Sequence, residues 1–179
     1  MQVDGRPHGF TLIELLVTIA IAAILATIAV PEFRSFLMNT QIKTATEAIN
    51  NGLQLARGEA VRRNTKVRFV LGAGTGWTVG CDTPTADCPV VIQSRAAGEG
   101  SASAIVTTEP AGATSITYNG LGRVVANDDG TASITRFNVD VPTTVLAANI
   151  SKNLSILTTG GSIRMCDPNR TAGDPRACS

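Results

Sequence analysis

An unbroken apolar segment near the N-terminus dominates the hydrophobic pattern of the chain. Within residues 15–30 the only polar side chains are Thr18 and Thr27. Residues 10–30 match the ~20 residues that a helix needs to cross the hydrocarbon core of a membrane. The segment is apolar on all sides rather than along one stripe, so lipid or other helices must surround it. The pattern therefore predicts a transmembrane helix at residues 10–30.

Helical periodicity resumes after Pro31, now with a single apolar face. Apolar side chains recur mostly at intervals of three and four residues, and Glu59 and Arg63 are spaced to pair along a helix. We expect the helix to end at Asn64. Because proline removes a backbone hydrogen bond and clashes with the preceding turn, we expect a kink near Pro31. Residues 31–64 are therefore predicted to form the amphipathic half of one long helix, packed on a sheet.

The remaining sequence, residues 65–179, has the pattern of short strands joined by turns. Val, Ile and Thr recur in runs that Gly, Pro, Asn and Asp interrupt. Asn119-Gly120 and Asp129-Gly130 are typical of hairpin turns. The predicted fold class is α+β, with a long N-terminal helix on a β-rich globular head. The candidate strands are residues 66–71, 77–80, 90–93, 104–107, 115–118, 124–126, 132–139, 154–158 and 162–166.

The glycine beside the apolar segment is not placed as in a secretory signal peptide. A polar leader, residues 1–9, carries Asp4, Arg6 and His8 and ends at Gly9. In a secretory signal the small-residue cleavage site follows the apolar run, whereas here the glycine precedes it. Cleavage after Gly9 would leave the apolar segment as the N-terminus of the mature protein.

The motif at this junction, residues 9–14, reads Gly-Phe-Thr-Leu-Ile-Glu. It resembles the class III signal of type IV prepilins and type II secretion pseudopilins. The resemblance implies cleavage by a prepilin peptidase between Gly9 and Phe10, with methylation of the new Phe10 amine. It also implies that Glu14 matches the glutamate that these proteins use in filament assembly.

A second motif narrows the resemblance to the FimT/FimU/GspH group of minor pilins and pseudopilins. Residues 55–64 read Leu-Ala-Arg-Gly-Glu-Ala-Val-Arg-Arg-Asn, and a strand-like run and Gly76-Trp77 follow. In this group the helix ends in a similar segment before a first strand and a Gly-Trp turn. The resemblance implies a pilin-like fold, in which a long helix kinked near Pro31 packs on an antiparallel β-sheet or β-sandwich head.

Glu14 needs a physical reason to lie within an apolar helix. A carboxylate inside a spanning helix costs about 2.5–3.5 kcal/mol on insertion scales. Where the helices of a filament pack side by side, Glu14 could meet the N-terminal amine of Phe10 of a neighbour. That pair would neutralise two charges and fix the axial register between subunits. The alternative is a simple membrane anchor whose Glu14 lies among the lipid headgroups.

Composition and charge disfavour an enzyme. The chain has 179 residues, a formal net charge of +1 and 4% aromatic residues, so neither charge nor base stacking favours nucleic acid. The single histidine is His8, in the leader. A mature chain without it has no Ser-His-Asp or Cys-His mechanism and no histidine ligand for zinc. We therefore predict no enzyme activity, no catalytic residue, no cofactor and no bound metal.

Four cysteines allow three disulfide pairings. The spacing favours two local loops, Cys81–Cys88 and Cys166–Cys178. An N-terminal anchor would place them outside the cytoplasm, where disulfides persist. The alternatives are a metal site of four thiolates, for which the usual CxxC pairs are missing, and free thiols.

Two polar clusters raise the question of a bound ligand. The first consists of Arg62, Arg63, Lys66 and Arg68. Its position suits the negative end of the helix and a solvated surface better than nucleic acid. The second is the acidic run at residues 127–129, which lacks the spacing of a calcium-binding EF-hand and is interpreted as a turn.

The C-terminal tail follows a predicted hairpin and is closed on it if Cys166 bonds Cys178. In the FimT proteins that bind DNA, the corresponding motif is Gly-Arg-x-Arg. Here residues 161–164 read Gly-Ser-Ile-Arg, so a serine replaces the first arginine. Arg164, Arg170 and Arg176 remain candidate phosphate contacts, although two aspartates in the tail offset part of their charge.

These observations favour a minor type IV pilin, anchored by a single pass in the bacterial inner membrane, with its head in the periplasm. It would help to initiate or cap a pilus and be incorporated at the tip. The expected partners are other minor pilins, the major pilin, prepilin peptidase and the inner-membrane assembly platform. The alternatives are a GspH-like minor pseudopilin of type II secretion, a FimT-like DNA-uptake receptor, and a membrane-anchored enzyme.

Overall fold

The computed structural model describes residues 10–178. The leader at residues 1–9, including the expected cleavage residue Gly9, lies outside the described residues, as does Ser179. The chain divides after Phe36 into two compact units. The second unit, residues 37–178 in its described part, is called the head below.

A single helix, α1, extends over Leu12–Arg63. It ends as the sequence predicts, because Asn64 adopts the left-handed conformation with a φ of 49°. The amide of Thr65 donates to the carbonyl of Ala60 at 3.2 Å, and the amide of Asn64 donates to the carbonyl of Val61 at 3.2 Å. This pair of bonds is the Schellman arrangement that satisfies the last carbonyls of a helix. The helix continues through Pro31, and the kink there stays a prediction.

Nine strands follow the helix and form two antiparallel sheets. The strands are β1 (Val67–Leu71), β2 (Trp77–Cys81), β3 (Gln93–Arg95), β4 (Ile105–Glu109), β5 (Ser115–Tyr118), β6 (Val124–Val125), β7 (Arg136–Asp140), β8 (Leu154–Thr159) and β9 (Ser162–Cys166). The first sheet has the order β3-β2-β1-β5-β6, and the second has the order β4-β7-β8-β9. The α+β class, with a long helix and an antiparallel β head, is confirmed.

Two strands begin at least three residues later than predicted. The run at residues 90–93 was expected to be a strand, but β3 begins only at Gln93. The carbonyl of Val90 approaches Gly80 so closely that a Cβ at position 80 would overlap it, and this contact interrupts the regular ladder. The predicted strand at residues 132–139 shortens to β7, because the chain changes sheets there. The amide of Ile134 donates to Ser115 of the first sheet at 3.0 Å, and that of Thr135 donates to Glu109 of the second at 2.7 Å.

The prediction of a hairpin at Asp129-Gly130 is wrong. The segment does turn, with the amide of Gly130 donating to the carbonyl of Asn127 at 3.0 Å. However, the strand before it, β6, belongs to the first sheet, and the strand after it, β7, belongs to the second. The turn therefore connects sheets rather than paired neighbours. The other predicted hairpin, β5–β6 around Asn119-Gly120, is confirmed.

One hydrophobic core joins the helix to both sheets. The second half of α1 buries Ile42, Ile49 and Leu53 completely, and each such side chain contributes about 1.5–3 kcal/mol relative to an exposed one. The core continues through Phe69 of β1 to Phe137 of β7, whose rings meet edge to face with centroids 5.8 Å apart. The head is therefore one packed body rather than two separate sheets.

Candidate functional site

The N-terminal unit carries the residues that the sequence assigns to a membrane or a filament. By length and composition α1 can cross a membrane, and none of its most apolar window is buried within the chain. The two polar side chains of residues 15–30 donate hydrogen bonds to the helix backbone. The Thr18 hydroxyl donates to the carbonyl of Leu15 at 2.8 Å, and the Thr27 hydroxyl donates to that of Ile24 at 2.7 Å. This surface can therefore enter an apolar environment without exposing an unpaired hydroxyl.

Glu14 lies in the first turn of α1, next to a capping residue. The amide of Glu14 donates to the hydroxyl of Thr11 at 3.3 Å, as at the start of many helices. A carboxylate in the first turn also faces the positive end of the helix dipole. Thr11 and Glu14 have the spacing of a capping box, which is a local signal present in the sequence. A carboxylate at position 14 therefore stabilises the start of α1, independently of any contact that it makes in an assembly.

Both predicted local loops of the head are disulfides in the structure. Cys81 is bonded to Cys88, and Cys166 is bonded to Cys178. The first bond closes the loop that follows β2. The second holds the tail against the end of β9, where the amide of Asp167 donates to the carbonyl of Arg176 at 2.7 Å. The four sulfurs are therefore two covalent pairs rather than a thiolate cluster.

Aspartates pair with two of the three arginines that the sequence offers as phosphate contacts, Arg170 and Arg176. Arg170 lies 3.3 Å from Asp167 and 3.8 Å from Asp174, and Arg176 lies 3.4 Å from Asp174. The backbone and side chain of Arg176 hold the pKa of Asp174 below its ordinary value. Arg164, on β9, donates to the carbonyl of Ala177 at 3.1 Å. The aspartates thus neutralise much of the charge that a phosphate backbone would need.

Arg68 occupies the centre of a charged network on the outer side of the first sheet. It lies 2.5 Å from Asp82 and 2.7 Å from Asp129, and the neighbouring Lys66 lies 2.5 Å from Asp128. Burial and a hydrogen bond with Asp128 raise the pKa of Asp82, against the lowering effect of Arg68. The hydrogen bond from Lys66 is the main reason why the pKa of Asp128 is lowered.

This network explains the acidic run at residues 127–129. Its two carboxylates are ion-paired, and the amide oxygen of Asn127 accepts a hydrogen bond from Thr117 at 2.8 Å. The run fastens the crossover between the sheets to β1 and β5. Among residues 10–178, no group of three or more His, Cys, Asp or Glu side chains is placed to hold a metal ion.

Comparison with known families identifies the family to which the head belongs. The family model described as type II transport protein GspH matches residues 45–160, which is more than half of the chain. The chain belongs to the GspH family of minor pilins and pseudopilins. The GspH-family match covers α1 from residue 45 to its end and the strands β1 to β8 of the head. Members of this family are structural subunits.

The N-terminal segment matches a second model, the prokaryotic N-terminal methylation motif, at residues 5–30. This motif and the apolar helix fit anchoring in the inner membrane and incorporation into a pilus or pseudopilus. Two curated relatives, both fimbrial proteins of Pseudomonas aeruginosa, are 36% identical over 59 residues, which are 33% of this chain. The chain spans 38% of the length of these relatives.

A solved structure has a similar fold over most of the chain. The crystal structure of the type IV minor pilin FimU of Pseudomonas aeruginosa superposes with a TM-score of 0.53. The match covers 80% of this chain and 99% of that one, at 18% identity. At this identity the likeness shows the fold alone. The pilin-like architecture expected for a GspH-family member is therefore confirmed.

Proposed function

We propose that the chain is a minor type IV pilin that inserts in the inner membrane and helps other minor pilins to initiate or cap a pilus. The single observation that carries this proposal is the apolar half of α1, with Glu14 in its first turn and none of its most apolar window buried by the chain itself. Such a surface is stable only in lipid or among the helices of other subunits. The N-terminal methylation motif at the same residues supports the proposal.

The proposed route begins with maturation. Prepilin peptidase cuts between Gly9 and Phe10 and methylates the Phe10 amine. The head then stands in the periplasm on a single-pass anchor, and the inner-membrane assembly platform moves the helix into the fibre. There Glu14 meets the Phe10 amine of an adjoining subunit, either another minor pilin or the major pilin, and the chain occupies the tip. Mass spectrometry of the purified protein tests the first step, because a retained leader or an unmodified Phe10 would contradict it.

Replacement of Glu14 by Ala tests the assembly step. We expect Glu14→Ala to keep the head folded and the anchor in the membrane, but to abolish both piliation and co-purification with other minor pilins. Glu32→Ala is the matched control, since Glu32 is also an exposed glutamate on α1. Normal piliation in Glu14→Ala would disprove the proposed role.

A second candidate function is a minor pseudopilin of type II secretion. The observation that favours it is the family match, whose description is a type II transport protein. The two candidates differ in the phenotype of a deletion strain. Loss of pili with normal protein secretion supports the pilin, whereas loss of secretion with normal pili supports the pseudopilin.

The DNA-uptake receptor receives less support, because Asp167 and Asp174 pair with Arg170 and Arg176. Retention of DNA that is sensitive to salt and disappears in Arg164→Ala would favour it nevertheless.

A further inference from the structure

One loop of the head is held against α1 close to the point where the helix enters the head. The side chain of Asn39 donates to the carbonyl of Ile150 at 3.3 Å and accepts from the amide of Lys152 at 2.8 Å. Both partners belong to the connection between β7 and β8, residues 141–153, which is called the basal loop below. Since the head begins at residue 37, the basal loop lies at the end of the head that the chain reaches first.

The basal loop is largely apolar and carries one cation. Lys152 is its only charged residue, so the loop contains no aspartate or glutamate. Val141 and Leu146 anchor the loop in the core, whereas Val145 and Ile150 are 42% and 47% exposed. Lys152 is exposed as well. Exposed aliphatic side chains beside a lysine are typical of segments that bind at the surface of a membrane.

Hydrogen bonds within the basal loop make it a fixed surface. The amide of Leu146 donates to the carbonyl of Pro142 at 3.1 Å, and the amide of Ser151 donates to the carbonyl of Ala147 at 3.0 Å. The hydroxyl of Ser151 also donates to the carboxylate of Asp140, so the acidic group that precedes the loop already has a partner within the head. A surface that is ordered in advance loses little conformational entropy when it binds.

The chain keeps the basal loop near the membrane that the apolar segment would span. Asn39 follows Val30, the end of that segment, by nine residues. A helix rises about 1.5 Å per residue, so an unbroken helix separates the two by about 14 Å. Lipid headgroups occupy roughly the first 5–8 Å of this distance, and the tilt of about 20° that is usual for spanning helices brings one side of a head nearer. Phe33 and Leu37, both exposed, continue the apolar surface of the helix toward the loop.

We propose that the basal loop contacts the phospholipid headgroups of the leaflet from which the anchor emerges. Val145 and Ile150 enter the headgroup region, and Lys152 donates to lipid phosphates. The inference rests on the proposed function, because it requires residues 10–30 to span the bilayer. The contact orients the head before assembly, and it must break when the helix moves into a fibre. Nucleic acid fits the loop less well, since a single cation neutralises few phosphates.

Fluorescence quenching in vesicles tests the contact. The full chain is reconstituted in phosphatidylethanolamine and phosphatidylglycerol, together with a lipid that carries a spin label on its headgroup. Ile150→Cys is labelled with a small fluorophore, which the four native cysteines do not take up because they are paired in disulfides. We expect quenching at position 150 to be at least about threefold stronger than at a position at the other end of the head.

Leu121→Cys is the matched control for position. Leu121 is also an exposed aliphatic residue of the head, but its turn packs on the far end of α1, where a Cβ at Gly122 would lie 3.1 Å from Cγ2 of Val61. Val61 follows Asn39 by 22 residues, which corresponds to about 33 Å along a helix. Equal quenching at positions 121 and 150 would overturn the proposal. So would an unquenched label at position 150 that a co-reconstituted pilin shields, because the loop would then bind protein instead of lipid.

Charge reversal tests the part of Lys152. Combined with Ile150→Cys, Lys152→Glu should lower the quenching about twofold or more, because an acidic side chain is repelled by anionic headgroups. Arg123→Glu makes the same change of charge next to Leu121 and should leave the quenching at position 150 unchanged. No effect of Lys152→Glu, or equal effects of the two reversals, would contradict the proposed contact.

Ile24→Cys separates failure of this inference from failure of the proposed function. Ile24 lies within the apolar segment and is exposed on α1, so a lipid that carries its spin label deep in the acyl chain should quench a label there. Quenching at position 24 without quenching at position 150 leaves the anchor in place and refutes only the basal contact. Lack of quenching at both positions refutes the insertion itself.

Discussion

Gly52 lies where α1 packs against two aromatic side chains of the first sheet. A Cβ at this position would lie 2.8 Å from Cε2 of Phe69 and 2.9 Å from Cε2 of Trp77. Real Cβ atoms do not come so near to aromatic carbons, so the missing side chain sets the distance between helix and sheet. The sequence places Gly52 on the buried face of the helix, but the rings opposite it become known only from the structure.

We therefore expect Gly52→Ala to destabilise the head by about 1–3 kcal/mol, because both rings must move from a packed core. Gly58→Ala is the matched control on the same helix, since nothing lies within 4 Å of its added Cβ. That change should stabilise the protein by about 0.5–1 kcal/mol, because alanine is the better helix former. Urea unfolding of the full chain in detergent, followed by circular dichroism, measures both. Equal effects of the two substitutions would contradict the steric argument.

Glu59 gives the head a pH-dependent contribution to stability. Its carboxylate lies 2.6 Å from Arg62 and 2.7 Å from Arg63, and the hydrogen bond from Arg62 is the main reason why its pKa is lowered from 4.5. A lowered folded pKa stabilises the protein above pH 4.5, and this contribution is lost as the pH falls through the folded pKa.

The comparison of parent protein and Glu59→Gln isolates this contribution, since other titrating groups are common to both. We expect Glu59→Gln to be less stable at pH 7 and the difference to vanish in acid. Glu47→Gln is the control, because the ion pair of Glu47 with Lys43, at 3.7 Å, lies on an exposed surface. A difference between parent and Glu59→Gln that stays constant from pH 7 to pH 3 would refute the assignment.

At the scale of elements, the tail depends on its disulfide. Residues 167–178 contain no strand of either sheet, and the bond between Cys166 and Cys178 closes them on β9. Serine at both positions should cost about 2–3 kcal/mol, because the unfolded chain gains the freedom of the opened loop. Limited proteolysis should then cut the tail first, while the loop closed by Cys81 and Cys88 stays intact. A tail that resists proteolysis without the disulfide would show that its ion pairs suffice.

Elements with strong local signals were predictable from the sequence, and those shaped by distant contacts were not. The helix end at Asn64 follows from chemistry within a few residues of it. The delayed start of β3 depends instead on the contact of Val90 with Gly80. The sequence shows that Asp167 and Asp174 offset part of the charge of the tail arginines. It does not show which arginine pairs with which aspartate, because the contacts within a loop do not follow from sequence spacing.

At the scale of the whole molecule, the division into two sheets was beyond the sequence. A pattern of short apolar runs identifies strands, but it does not say which of them pair. The chain passes from the first sheet to the second at residues 133–135, where the amides of consecutive residues donate hydrogen bonds to different sheets. The glycine of the β8–β9 turn makes a second connection, because a Cβ at Gly161 would overlap the carbonyl of Gly122.

Gly161→Ala should therefore disturb the junction of the two sheets. Its φ of 109° is unsuited to alanine, and the added Cβ collides with backbone that cannot rotate away. We expect it to cost about 1–3 kcal/mol more than Gly160→Ala. The latter is the matched control, since Gly160 has a φ of 62° and nothing within 4 Å of its added Cβ. Thermal unfolding of both variants measures the difference, and equal midpoints would disprove a close contact at Gly161.

Trp77 is the single tryptophan of the chain, and it is 5% exposed in the core beside Gly52. Its ring centroid lies 5.9 Å from that of Phe69. The protein therefore contains a built-in optical probe at the contact between helix and sheet. Because indole emission shifts to the red when water reaches the ring, fluorescence alone can follow whether the head opens when the subunit leaves the bilayer for the fibre.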